Sequence, residues 1–159
     1  MARRGCMKIS SGAFSNGGNI PTRYTCDGSN VSPPISIEDV PAAAKSLALI
    51  CDDPDAPMGV FVHWVVWNIP PNVTAIPEKV PMTGVVKSLG GAAQGVTDFG
   101  KIGYGGPCPP RGPPHRYYFK LYALDAKLEL GAGASKEELE GAMEGHILAK
   151  TTLMGKYGR

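Results

Sequence analysis

No apolar run in this 159-residue chain approaches the roughly 18 residues that cross a bilayer as a helix. Behind Arg3 and Arg4 there is likewise no apolar stretch of signal-peptide length, so the sequence predicts a cytoplasmic protein with no integral membrane association. Runs of like charge are missing too. Lys and Arg number 16 against 14 Asp and Glu, a net charge of +2 without a basic stripe, which excludes nucleic acid as an expected partner. The four cysteines, Cys6, Cys26, Cys51 and Cys108, lie far apart, with no Cys-x-x-Cys pair and no histidine at zinc-finger spacing. Four free thiols are expected. Helix formers are scarce ahead of Ser135, whereas 21 Gly and 15 Pro run through the chain, the composition of short strands joined by turns. The length fits a single domain, read as residues 10–159 behind a disordered extension over 1–9, with Met7 a candidate start.

What is present is concentrated between Cys51 and Pro70. Three carboxylates (Asp52, Asp53, Asp55) and two prolines (Pro54, Pro57) precede a Val- and aromatic-rich run interrupted only by His63. Apolar on both alternating faces, residues 60–69 predict a central strand covered on both sides. A histidine there is desolvated and needs a hydrogen-bond partner, for which the aspartates are the nearest source. A preceding strand is expected over 46–51, with Leu47, Leu49 and Cys51 on one face. The tight Asp-Pro turn between the two strands predicts a cis peptide at Ala56-Pro57 or, failing that, Asp53-Pro54.

Residues 14–36 read as a looped entry segment. A long Gly and Pro loop spans 90–114 and carries Phe99, Tyr104 and Cys108, which is too aromatic for a plain linker. Next comes a strand over 115–125 that turns His115, Tyr117, Phe119, Leu121 and Ala123 inward. Ser135-Lys-Glu-Glu138 is a capping-box pattern opening a helix expected to reach Lys150, with His146 on or beside its apolar face, followed by a short terminal strand over 151–157. The glycine loop matches no nucleotide-binding fingerprint, so no cofactor is indicated. Taken singly, Asp beside Pro makes turns, Cys108 reads as a small buried hydrophobe, and His146 as structural.

Taken together, Asp53-Pro-Asp-Ala-Pro57, His63-Trp-Val-Val-Trp-Asn68, Gly103-Tyr-Gly-Gly-Pro-Cys-Pro-Pro-Arg-Gly112 and His115-Arg-Tyr117 resemble the signature regions of the phosphatidylethanolamine-binding protein family. Their order and spacing fit its short bacterial and archaeal branch, the relatives of Raf kinase inhibitor protein. The resemblance implies a mostly β chain: a β-sandwich of two antiparallel sheets with one or two peripheral helices, one of them near the C-terminus. It also implies a small pocket for phosphate or phospholipid-headgroup-like anions, lined by Asp53, Asp55, His63, Tyr104, Gly106, Pro107, Pro110, His115 and Tyr117. Asp53 would orient a histidine while loop N–H groups, imidazoles and a tyrosine hydroxyl face the anion.

The function so implied is non-enzymatic binding, with regulation of a kinase or protease as the family's wider theme and a homodimer left open. An ester hydrolase built on the Asp/His pocket with Cys108 or Ser88 as nucleophile is the alternative, although no Gly-x-Ser-x-Gly elbow is present. A metal held by His63, His115 and Asp53 is a weaker third reading, its spacing unlike known zinc motifs.

Overall fold

The computed structural model describes residues 6–159. Its elements run β1 (Lys8–Ser10), β2 (Ile35–Glu38), β3 (Ser46–Asp53), β4 (Phe61–Ile69), β5 (Ala75–Ile76), β6 (Val85–Val86), β7 (Ala92–Gln94), β8 (His115–Leu124), α1 (Lys136–Met143) and β9 (Ile147–Tyr157). The strands form two antiparallel sheets, a small one in the order β1-β2-β5 and a large one in the order β6-β7-β4-β3-β8-β9.

Alternation along the strands explains the layering. Ile9, Ile35, Ile37 and Ile76 of the small sheet pack on Leu47, Leu49, Cys51, Trp64, Val66, Phe119 and Leu121 of the large one. The opposite face of the large sheet buries Ala48, Ile50, Val65, Trp67 and Tyr122 beneath Leu139 and Met143 of α1. Each fully buried aliphatic or aromatic side chain of this kind contributes roughly 1.5–3 kcal/mol, and β3, buried at every position, sits at the middle of both cores. This is the expected β-sandwich with a helix near the C-terminus.

Several expectations change in detail. Ser135 and Glu138 do form the capping box, but the helix stops at Met143 rather than near Lys150. Gly145 adopts a left-handed turn (φ 82), and the chain from Ile147 pairs with β8 over eleven residues. Sheet pairing along the whole of β8 outweighs the helical spacing of His146 and Ile147. His146 therefore lies in the turn, its Nδ1 2.7 Å from Asp125 Oδ1. The packed chain starts earlier than residue 10, since Met7 and Ile9 are buried; the rest of the supposed extension, residues 1–5, lies outside the described residues. Part of the glycine loop is structured, as β7 and as a bridge between Val96 and Ile102.

Two corrections bear on the site. Cys26 and Cys108 are joined in a disulfide, so only Cys6 and Cys51 are free thiols among the described residues; a sequence separation of 82 gave no spacing signal. Cys108 is exposed rather than a buried hydrophobe. No cis peptide occurs among the described residues. The β3–β4 turn is tightened instead by Asp53, whose Oδ1 accepts the Asp55 N–H at 2.7 Å, and by Gly59 at φ 107, a conformation that glycine adopts without steric cost.

Candidate functional site

Antiparallel pairing brings the end of β3, the start of β4 and the start of β8 together at one end of the large sheet's interior strands. Asp53, Phe61, His63, His115 and Tyr117 gather there. They line a cavity of about 500 Å³, completed by residues 56–60 of the β3–β4 turn, by Asp98 and Phe99, and by Cys108, Pro109 and Pro110.

His63 reaches this cavity through an irregularity. Cys51 pairs with Trp64 and Asp52 with Val62, so the register shifts and His63 has no residue opposite it. Such a bulge re-aims the side chain it contains. The ring is 3% exposed with its residue, and it is boxed by Tyr117 (5.1 Å between ring centroids), Phe61 (5.0 Å) and Phe99 (5.4 Å). Its hydrogen-bond partner is not an aspartate, as the sequence led us to expect, but a backbone carbonyl. Nδ1–H donates to Gly105 O at 2.6 Å, while the Gly105 N–H donates to His63 O at 2.9 Å. Only glycine fits at 105, where a Cβ would lie 2.3 Å from the Phe99 ring. These bonds fix the neutral tautomer, with the lone pair on Nε2. Burial holds the His63 pKa below the usual histidine range, opposed by the Gly105 bond and by Asp53, Asp52 and Asp98.

Asp53 serves the other histidine. Its Oδ2 lies 2.7 Å from His115 Nδ1, with side-chain exposures of 4% and 12%, so the carboxylate accepts the Nδ1 proton and Nε2 is turned away from the pair. Tyr117 is 1% exposed, and burial, reinforced by Asp53, pushes its phenol well above the ordinary value, leaving it a protonated donor. No buried side-chain nitrogen or oxygen among the described residues lacks a partner. The atoms of His63, His115 and Tyr117 that take no bond among the described residues, Nε2, Nε2 and Oη, are therefore the ones with access to the cavity they line. A preformed pocket with a few convergent polar atoms and aromatic walls binds a small molecule.

Of the residues anticipated from the sequence, Asp53, His63, Pro110, His115 and Tyr117 line the cavity, whereas Asp55, Tyr104, Gly106 and Pro107 do not. Asp55 is clamped by Arg116, which donates from Nε (2.9 Å), Nη2 (2.8 Å) and its backbone N–H (2.9 Å). That clamp pins the β3–β4 turn to β8 and holds the Asp55 carboxyl at a pKa of about 2. Tyr104 points into the core, its hydroxyl donating to Tyr24 O at 2.7 Å. Most of the expected loop N–H donors are committed or absent: the Gly106 N–H donates to Asn30 Oδ1 at 2.8 Å, and Pro107, Pro109 and Pro110 have none, which leaves the Cys108 N–H as the one donor of this stretch that takes no bond among the described residues. The loop is a wall held from behind, by the Cys26–Cys108 bond and by Arg159, which donates to Pro109 O at 3.3 Å. Phe61, Asp98 and the 56–60 turn were missed. Phe61 alternates with His63 in the sequence and was the one legible signal among them. Among the described residues no group of three or more His, Cys, Asp and Glu is gathered as for a metal ion.

Fold and site together define a small β-sandwich binding protein, with an aromatic-walled, polar-floored pocket at one end of the large sheet's interior strands. Comparison with known proteins agrees. The family model for phosphatidylethanolamine-binding protein matches residues 10–158, and the chain belongs to that family. A UPF0098 protein of Methanothermobacter thermautotrophicus is 56% identical, the match covering 96% of this chain and 99% of that one. A UPF0098 protein of Pyrococcus horikoshii is 54% identical, over 96% of this chain and 77% of its own length. Among solved structures, a putative phosphatidylethanolamine-binding protein homologue from Chlamydia trachomatis superposes with a TM-score of 0.88 at 45% identity, covering 97% of this chain and 98% of that one. E. coli YbcL, described as a new member of the mammalian family, gives 0.89 at 33%, covering 96% and 98%.

Proposed function

We propose that this protein is a non-catalytic receptor for a small phosphate-like anion, bound in the cavity between Asp53, His63, His115 and Tyr117. One observation carries the reading: three polar atoms on rigid strands, His63 Nε2, His115 Nε2 and Tyr117 Oη, open into one cavity with no bond of their own. When His115 is protonated opposite Asp53, its Nε2–H supplies a charged donor and Tyr117 a neutral one. The hydrolase alternative loses both nucleophiles named for it, because Cys108 is bonded to Cys26 and Ser88, in a 3-10 turn over Lys87–Leu89, does not line the cavity. Regulation of a kinase or protease rests on family likeness alone; a partner of that class would read the occupied cavity through its exposed rim, Met58, Val60 and Phe99. Titration calorimetry with inorganic phosphate tests the proposal. Saturable binding in wild type, lost in His115→Ala, with no turnover of a chromogenic phosphate ester is the expected result; turnover or absence of binding overturns it.

A further inference from the structure

The anion reading leaves His63 unexplained, because an acceptor lone pair faces the bound molecule. Nδ1–H is committed to Gly105 O at 2.6 Å, so the neutral ring presents Nε2 as an acceptor only. Among the described residues no Lys or Arg lines the cavity, and the charged groups facing His63 are the carboxylates of Asp53 at the end of β3 and Asp98 on the loop after β7, with Asp52 on the far side of the sheet. From β8 come His115 and Tyr117, the remaining titratable groups of the wall. With His115 protonated opposite Asp53, these side chains offer two donors, His115 Nε2–H and Tyr117 Oη–H, and one acceptor, His63 Nε2. An oxyanion with every oxygen deprotonated would set a lone pair against the lone pair of Nε2 and leave that atom, in a residue only 3% exposed, without a partner, which costs about as much as a lost buried hydrogen bond.

We infer that the cavity selects oxyanions that still carry a proton, phosphate monoesters in their singly charged form, over equally charged phosphodiesters and sulfate esters, and that His63 is the residue that reads that proton. The ligand's P–O–H donates to His63 Nε2 while two other oxygens accept from His115 and Tyr117. This rests on the anion reading and makes it narrower. It also separates two sources of the same phosphoryl chemistry: soluble monoesters fit, and the phosphodiester of an ordinary phospholipid headgroup, which has no proton to give, does not.

Methyl phosphate, dimethyl phosphate and methyl sulfate test this, titrated by calorimetry into the wild-type chain below the monoester's second ionisation, about pH 6. All three then carry one negative charge, and methyl sulfate matches methyl phosphate in shape. Methyl phosphate is expected to bind roughly tenfold tighter or more than either of the others. Its affinity should then fall as pH rises and the proton is lost. Equal affinities for the three overturn the selectivity while leaving the anion pocket standing; no binding of any of them overturns both. His63→Phe, which keeps the aromatic box, should bring methyl phosphate and methyl sulfate to the same affinity, and discrimination persisting in the folded variant overturns the role given to His63. Imidazole nitrogen NMR of the wild-type chain gives the same answer without a substitution. The His63 Nε2 resonance should move on adding methyl phosphate and not on adding methyl sulfate, and a resonance that stays put with both overturns the assignment.

Discussion

Asp52 and Asp53 are neighbours on β3, both almost wholly buried, yet they do opposite things because the strand turns them to opposite faces of the large sheet. Asp52 lies on the helix side, 3.1 Å from Lys120 Nζ and 2.9 Å from Lys136 Nζ, and ties the first turn of α1 to the sheet. Both ammonium groups meet the same carboxylate oxygen, Oδ2, so that charge is answered within the chain. Asp53 lies at the cavity, its Oδ1 accepting the Asp55 N–H and its Oδ2 meeting an imidazole whose other nitrogen takes no bond among the described residues. A buried carboxylate answered by lysines ties elements together; one whose imidazole partner keeps an unbonded atom can pass its polarity on into a cavity. Burial alone does not separate the two, and what does is where the last unbonded atom points.

The sharpest way to break this contrast is Asp52→Ala, which strands two lysine charges against a buried face. We expect a loss of roughly 3 kcal/mol in denaturant unfolding with phosphate affinity unchanged; lost affinity in a folded variant would join the two regions into one. Next comes His115→Ala, which leaves Asp53 buried with only the Asp55 N–H as a partner, costs roughly 2 kcal/mol and abolishes phosphate binding. His63→Ala should cost less, roughly 1 kcal/mol, since it strands only a neutral carbonyl. That order reverses the one the sequence suggests, where His63 was the presumed partner of the aspartates, and a larger loss at His63 would restore it.

A smaller effect is expected at Asp55. Its pKa of about 2 in the folded chain lies below the unfolded aspartate value of roughly 3.9, so its clamp on Arg116 stabilises the fold above that value. The contribution fades as pH falls through this window toward 2. Melting temperatures of wild type and Asp55→Asn should differ at pH 7 and converge in acid; a gap that persists at low pH would mean the clamp acts through shape rather than charge. Least of all, Met58→Ser at a fully solvated rim position (99% exposed) should move stability by no more than about 0.5 kcal/mol and leave affinity for inorganic phosphate as it was.

The fold was legible where composition and periodicity agree. The double-faced apolar runs at 46–51 and 60–69 marked the two central strands, and the inward face of 115–125 was read correctly. The helix end was not, because His146 and Ile147 continue a three- and four-residue spacing that only the long pairing with β8 overrules. In the site, residue types were legible and partners were not. Asp53 was assigned to orient a histidine, and it does so for His115; the partner of His63, a carbonyl more than forty positions away in sequence (|i−j|=42), leaves no mark in a local pattern. The disulfide was invisible for the same reason, and the glycine loop misled because, Cys108 apart, the N–H groups of 106–110 are bonded elsewhere or replaced by prolines.

The irregularity in β4 gives residue count a meaning of its own. Between Trp64 and Val62 the strand spends one residue more than β3 does between Cys51 and Asp52, and His63 occupies that surplus place. Removing a single residue there would restore strict alternation, mend the ladder and close the gap that turns the imidazole toward the cavity. The strand would improve by every measure of sheet regularity and the cavity would lose part of its floor. Length, as well as chemical identity, is thus under constraint at this position. A relative that keeps every polar side chain of the cavity but is one residue shorter between Asp53 and Trp64 would share the architecture and read a different ligand.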